Sequence, residues 1–287
     1  MNRQIIELYD EYTHGGIDRR TFLGGLARLA GSAAAAAALL PLLENSYAEA
    51  ATIATDDPSL KTGWGRFDEP GGAVVYYAAR LAKRPKRRPA VVVIHENRGL
   101  NEHIQDITRR LAKAGFLAIA PDALAIAGGT PKDEDLARKM IGELDAEKTL
   151  EVYQAAVRHA ATHEHSTGKV GCVGFCWGGA MAGRLAANSP ELAAAVVFYG
   201  MPPAADEVAR IHVPLLLNYA GLDTRINEKV PEFESALKAA GRRYELHMYD
   251  GVDHAFNNDT NAARYNADAA KLAWNRTVDF LTRELHG

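Results

Sequence analysis

The chain has 287 residues, 47% hydrophobic and 24% charged, with a formal net charge of -3 at pH 7. This is an ordinary globular profile, long enough for one domain with a deep core, and its near-neutral balance gives no basis for a nucleic-acid partner. Two cysteines are too few for a disulfide scaffold, and no zinc-type Cys/His spacing accompanies them.

In chain order the first expected element is a leader. "DRRTFLGG" places Arg19 and Arg20 directly before Phe22 and Leu23. A weakly apolar stretch, "LARLAGSAAAAAALLPLL", follows, and then Ala48, Glu49 and Ala50, small side chains flanking a signal-peptidase site. Twin arginines, a soft apolar segment and A-x-A in this order resemble a bacterial Tat signal. Residues 1–50 are therefore expected to be a targeting segment that engages the Tat export machinery and is cleaved near Ala50. The product would be periplasmic or secreted, with no stable membrane span. An uncleaved membrane anchor is the alternative; Arg28 and the glycines make the stretch a poor span, since a bilayer asks for about 20 strongly apolar residues. A core helix is disfavoured, because residues 33–38 have no polar face and Pro41 would break it.

From about Thr52 short β-branched runs alternate with amphipathic stretches. The runs are "AVVYYAA" (73–79), "AVVVIH" (90–95), "FLAIA" (116–120), "VGCVGF" (170–175), "AAAVVFYG" (193–200), "PLLLNYAG" (214–221) and "YELHMYDG" (244–251). Several are apolar at every position, the mark of strands covered on both faces in a mostly parallel sheet. The basic run "KRPKRR" (83–88) lies between two of them and reads as a solvated hairpin or loop. Helices are expected over 102–114, 134–161, 179–188, 227–240 and 262–285. Residues 51–287 thus read as one α/β domain, a mostly parallel, doubly wound sheet flanked by helices. Ligands of such sheets sit at the carboxyl ends of the strands.

The chemistry-bearing stretch is "GFCWG", Gly174 to Gly178, at a strand-to-helix turn. It fits G-x-nucleophile-x-G, where the nucleophile occupies a sharp turn and the glycines allow close backbone approach. The positive end of the following helix would favour a Cys176 thiolate. "AGLDTRIN" then places Asp223 on the loop after one strand, and "YDGVDHAFNN" places His254 on the loop after the last. Nucleophile, acid and histidine in this order are the arrangement of α/β-hydrolases. His254 would move the thiol proton, and Asp223 would fix the imidazole tautomer and support its charge. Asp253, beside it, reads as a loop cap. "HEHS" (163–166) lacks a third ligand and reads as a solvated helix end. The loop "HENRG" (95–99) follows another strand, so the backbone N–H groups of Asn97 and Trp177 are assigned to an oxyanion hole. Glu96 would then lie close to Cys176; the alternative for Glu96 and Arg98 is a loop salt bridge.

The stretches "VVVIHENRGLNEHIQDITRRLAKAGFLAIAPD", "VGCVGFCWGGAMAGRLAA", "GLDTRIN" and "YDGVDHAF" together resemble the dienelactone hydrolase family (carboxymethylenebutenolidase-like α/β-hydrolases), over nearly all of the chain after the leader. The resemblance implies a Cys176–His254–Asp223 triad that cleaves a small-molecule ester or lactone, with no metal and no organic cofactor. It also implies that Glu96 gates the nucleophile, taking up the thiol proton when substrate displaces it. Family members bind a substrate carboxylate through arginines, one of them four residues beyond the histidine; here that residue is Asn258, and Arg98 and Arg225 are the nearby arginines that could substitute. Two other readings stay open. One is a non-catalytic ligand- or partner-binding homologue; the other is a Cys172/Cys176 redox pair, whose C-x3-C spacing across a strand and its turn should make the side chains diverge.

Overall fold

The computed structural model describes residues 1–46, 52–69, 71–83 and 87–286. The expected cleavage site at 48–50 and residues 84–86 of the basic run lie outside them.

Eight strands form one sheet: β1 (Leu60–Glu69), β2 (Gly72–Leu81), β3 (Arg88–Ile94), β4 (Leu117–Pro121), β5 (Ser166–Phe175), β6 (Leu192–Phe198), β7 (Leu215–Ala220) and β8 (Tyr244–Tyr249), in the order β1-β2-β4-β3-β5-β6-β7-β8. β1 and β2 are antiparallel to each other, and β2 to β4. From β4 through β8 every pairing is parallel. This is the expected α/β architecture, with one strand more than the apolar runs indicated. β1 is an edge strand with Gly63, Gly65 and charged residues, so it carries no continuous apolar run.

The central strands are apolar throughout because both faces are covered. Val92 and Ile94 face one layer with Tyr153 and Leu185; Val91 and Val93 face the other with Ile107 and Phe280. Three N-terminal helices, α1 (Arg3–Thr13), α2 (Arg19–Ala30) and α3 (Ala33–Leu43), precede the sheet. The covering helices are α4 (Glu102–Ala114), α5 (Glu134–Gly142), α6 (Ala146–Thr162), α7 (Trp177–Asn188) and α11 (Ala267–His286). Short α8 (Ala205–Arg210) and α9 (Thr224–Asn227) and the longer α10 (Val230–Ala239) fill the connections after β6 and β7. The single helix expected over 134–161 is two: Asp145 caps a new start by accepting from the N–H groups of Glu147 and Lys148.

The N-terminal 46 residues fold against the sheet domain. α1 turns Ile5, Ile6 and Tyr9 inward, and Phe22, Leu26 and Leu43 complete a separate apolar cluster. α3 runs through Pro41, contrary to the expectation that proline would end it. Pro41 sits in the last turn, where its missing N–H forfeits one bond close to a terminus that frays anyway. Among the described residues no single helix is long and apolar enough to cross a membrane; α2 and α3 pass only as a pair bent by 112°. Of the twin arginines, Arg19 pairs with Asp135 at 2.8 Å while itself exposed. Such a pair contributes at most about 1 kcal/mol. The fully buried Phe22, Leu26 and Leu43 contribute roughly 1.5–3 kcal/mol each, chiefly by holding the three helices to one another.

Candidate active site

β5 delivers Cys176 at its carboxyl end. The residue has φ 53° and ψ -114°, a strained conformation for a side chain with a Cβ, and it caps α7. The turn closes tightly: a Cβ on Gly174 would lie 1.9 Å from the Gly178 carbonyl oxygen, and one on Gly178 would lie 2.3 Å from that of Ile94. Only glycine fits at either position. Tyr199 (φ 39°) and Ala255 (φ 64°) are the other non-glycine residues with positive φ among those described. Tyr199 packs its ring on His254, 4.9 Å between centroids, and Ala255 follows His254 in the chain. Backbone strain is thus concentrated around one point, as it is at functional sites.

β7 and β8 bring the other two groups. Asp223 caps α9 by accepting from the Ile226 N–H, and its second carboxylate oxygen accepts from His254 Nδ1 at 2.5 Å. Both residues are buried. Burial opposes the charged form of Asp223, yet the adjacent His254 and Arg225 outweigh it and hold the carboxyl below its usual range. Burial likewise opposes the His254 imidazolium, but the Cys176 sulfur and the Asp223 carboxylate raise it to about 10. Trp177 is the first residue of α7, so its N–H has no acceptor within the helix. Trp177, Asn97, Cys176 and Arg225 all line one cleft of about 760 Å³. The His95 ring stacks on Trp177 at 5.3 Å, with its Nδ1–H donating to the Glu96 carbonyl at 2.6 Å.

The remaining candidates divide. Glu96 is buried and its carboxylate accepts from Asn258 Nδ2 at 2.8 Å. The Tyr199 phenol is pushed well above its ordinary value, first by burial and then by the negative charges of Glu96 and Cys176. Of the three substrate-binding candidates only Arg225 reaches the cleft. Arg98 is 4% exposed and turned to Glu134 at 2.8 Å and to the Tyr9 hydroxyl at 3.0 Å, the salt-bridge alternative with a different acid. Asn258 has no exposed surface; besides holding Glu96 it accepts from the N–H and hydroxyl of Thr260. Neither side chain can meet a ligand in the cleft from where it lies. Cys172 is buried in β5, and both cysteines are free thiols. Asp253 holds Arg3 at 2.8 Å.

Sequence reasoning missed the contribution of the N-terminal helices. Directly after α1, His14 lies beside the nucleophile candidate, its Nε2 3.5 Å from Cys176 Sγ and 3.3 Å from His254 Nε2. Its Nδ1 faces the Asp10 carbonyl at 2.7 Å. Burial, then the positive charges of His254 and Arg225, keep its pKa well below the usual value, so the ring is neutral. The segment is tied down around it: Asn97 Nδ2 donates to the Thr13 carbonyl at 2.7 Å, Arg264 meets Asp10 at 2.6 Å, and Arg3 donates to the Leu222 carbonyl at 2.8 Å. Two signals pointed this way, the Asn2-capped amphipathic stripe of Ile5, Ile6 and Tyr9, and a histidine just beyond it.

A model of the dienelactone hydrolase family matches residues 76–285. The chain belongs to the dienelactone hydrolase family. A second model, described as YqhI-like, matches residues 1–33. A Yersinia pestis protein named "Putative carboxymethylenebutenolidase" is 35% identical over 232 residues, covering 76% of this chain and 85% of that one. An Escherichia coli K12 protein of the same name is 32% identical over 243 residues, covering 79% and 89%. The crystal structure of a Klebsiella pneumoniae protein titled a "Putative Dienelactone Hydrolase" superposes with a TM-score of 0.72 at 30% identity, covering 78% of this chain and 98% of that one. The chain is thus a hydrolase-family protein with the α/β-hydrolase fold.

Proposed function

We propose that the protein hydrolyses carboxylic esters or lactones through Cys176, His254 and Asp223. The observation that carries this is the strained Cys176 turn at the end of β5, with the Nε2 of a buried His254–Asp223 pair, 2.5 Å apart, within 4.8 Å of the Cys176 sulfur. The Cys176 thiolate attacks the substrate carbonyl carbon, and the oxyanion is held by the Asn97 and Trp177 N–H groups. The C–O bond breaks as His254 donates its proton to the leaving oxygen. Water activated by neutral His254 then cleaves the thioester, releasing the acid and restoring the thiolate–imidazolium pair. Asp223 keeps His254 in the tautomer that presents Nε2 to the reaction.

The gating role of Glu96 belongs to the same proposal and rests on its burial just beyond β3, with its carboxylate held by Asn258. Export also belongs to it: the twin arginines and the soft apolar stretch support a Tat-type route to the periplasm. Cleavage near Ala50 would remove α1–α3 and His14 with them. N-terminal sequencing of the periplasmic and membrane fractions tests export, and protein with an intact Met1 confined to the cytoplasm overturns it.

For the chemistry, Cys176→Ala is expected to abolish hydrolysis of small lactones and aryl esters with the fold intact by circular dichroism. Cys176→Ser should be weak, because a hydroxyl is not ionised by the same surroundings. Full activity in Cys176→Ala overturns the mechanism.

A further inference from the structure

Three strong metal-donor atoms converge where the N-terminal helices meet the sheet domain. His14 Nε2, Cys176 Sγ and His254 Nε2 lie within 4.8 Å of one another. From these residues we propose that the full-length chain binds a zinc-class divalent cation at this point, in a tetrahedral His2Cys site with the fourth position facing the cleft.

Two of the three separations match such a site, and the third, between the Cys176 sulfur and His254 Nε2, is within 4.8 Å. With zinc–nitrogen bonds of about 2.0–2.1 Å and a zinc–sulfur bond of about 2.3 Å, tetrahedral angles place nitrogen donors about 3.3 Å apart and nitrogen and sulfur about 3.6 Å apart. The two histidine nitrogens are 3.3 Å apart, and His14 Nε2 is 3.5 Å from the sulfur. Each ring is also oriented from behind, as metal-bound imidazoles are. The Asp10 carbonyl can only accept, so His14 Nδ1 carries the hydrogen and Nε2 presents its lone pair. Asp223 likewise holds the Nδ1 hydrogen of His254, so that Nε2 presents its lone pair once its own proton has left. Two imidazole nitrogens and a sulfur aimed at one another are bridged by a proton or by a metal ion. A proton serves one pair of these atoms, whereas a metal ion serves all three.

Cys176 and His254 share one mobile proton; on binding it passes to solvent, and the sulfur bonds the metal as thiolate. Metal-bound, Cys176 has no free thiolate to attack an ester. The loaded chain is then a resting form that chelation or undocking of His14 reopens. That consequence for activity rests on the cysteine-nucleophile proposal, but binding itself does not.

The test is titration of the reduced, metal-free full-length chain with Zn2+ against a chromophoric chelator, and with Co2+ followed by absorbance, both without substrate. One ion per chain is expected, with a thiolate-to-cobalt charge-transfer band in the near ultraviolet and the intense visible bands of tetrahedral Co2+. His14→Gln and Cys176→Ala should each weaken Zn2+ binding by more than about a hundredfold, and Asp223→Asn by about 10–100-fold, the loss expected of an outer partner. The Co2+ spectrum of the unaltered chain needs no variant to fold. Absence of the charge-transfer band, or equal Zn2+ affinity in a folded His14→Gln chain, overturns the site. A chain that hydrolyses esters yet binds no metal leaves the hydrolase mechanism standing and sinks this proposal; a chain that binds metal in this way but, stripped of it, hydrolyses nothing does the reverse.

Discussion

His14 Nε2 lies 3.5 Å from the Cys176 sulfur although 162 residues separate the two along the chain. A helix that reads as part of a leader therefore sets the immediate surroundings of the nucleophile candidate. The apolar cluster of Phe22, Leu26 and Leu43 holds the N-terminal helices to one another, and polar ties to Asn97, Arg264 and the Leu222 carbonyl hold them to the sheet domain.

Leu26→Asp should therefore unfold the N-terminal helical cluster and release His14 without unfolding the hydrolase domain. Leu26 has no exposed surface, and an unpaired carboxylate there has no compensating partner. The expected result is alkylation of Cys176 by iodoacetamide at least about tenfold faster than in the unaltered chain, because His14 beside the half-buried sulfur restricts access to it. An unchanged rate, with native circular dichroism, would separate the docking of these helices from the reactivity of Cys176.

The two thiols should differ sharply. Burial pushes Cys172 up to about 12, so between pH 7 and 9 it stays protonated as well as inaccessible. One alkylated cysteine per native chain, mapped to Cys176, and two in denaturant are expected by mass spectrometry. A single disulfide and no free thiol would revive the redox pair.

Gly174→Ala probes the turn that presents Cys176. The new methyl group would meet the Gly178 carbonyl at 1.9 Å, and backbone must move to relieve it. A loss of about 3 kcal/mol is expected, which for a chain of this size lowers Tm by roughly 6–12 °C. Calorimetry showing no change in Tm would mean that the turn is not closed as described.

Arg225 is the single arginine among the three substrate-binding candidates that lines the cleft. Arg225→Ala should raise KM for an ester bearing a free carboxylate by up to about fivefold, the loss of one exposed ion pair of at most about 1 kcal/mol. KM for the neutral analogue should hardly move. Equal effects on both esters would deny Arg225 a role in reading charge.

Much of this molecule could be read before folding, and the exceptions have physical causes. β3 to β7 announced themselves because strands buried on both faces are apolar at every position. β1 did not, since one exposed face and two glycines leave no period to detect. Cys176, Asp223 and His254 could be placed at strand ends from local motifs in a known order. Arg98 and Asn258 were candidates by proximity in sequence, but proximity says nothing of direction: one side chain turns to Glu134 and the other to Glu96. His14 escaped for the opposite reason. Its role exists only in the docked state, and the alanine-rich run after it carries the composition of an export signal.

The central claim, that Cys176 is the nucleophile, is tested most directly by intact-mass spectrometry of the chain quenched in acid during turnover of an activated aryl ester. The account predicts a mass gain of one acyl group, mapped to Cys176, released by hydroxylamine as a thioester is, and absent in Cys176→Ala. Asp223→Asn should form it roughly 10²–10⁴-fold more slowly, having lost the anion that orients His254. Turnover with Cys176 unmodified throughout, or an acyl group carried on another residue, would contradict it.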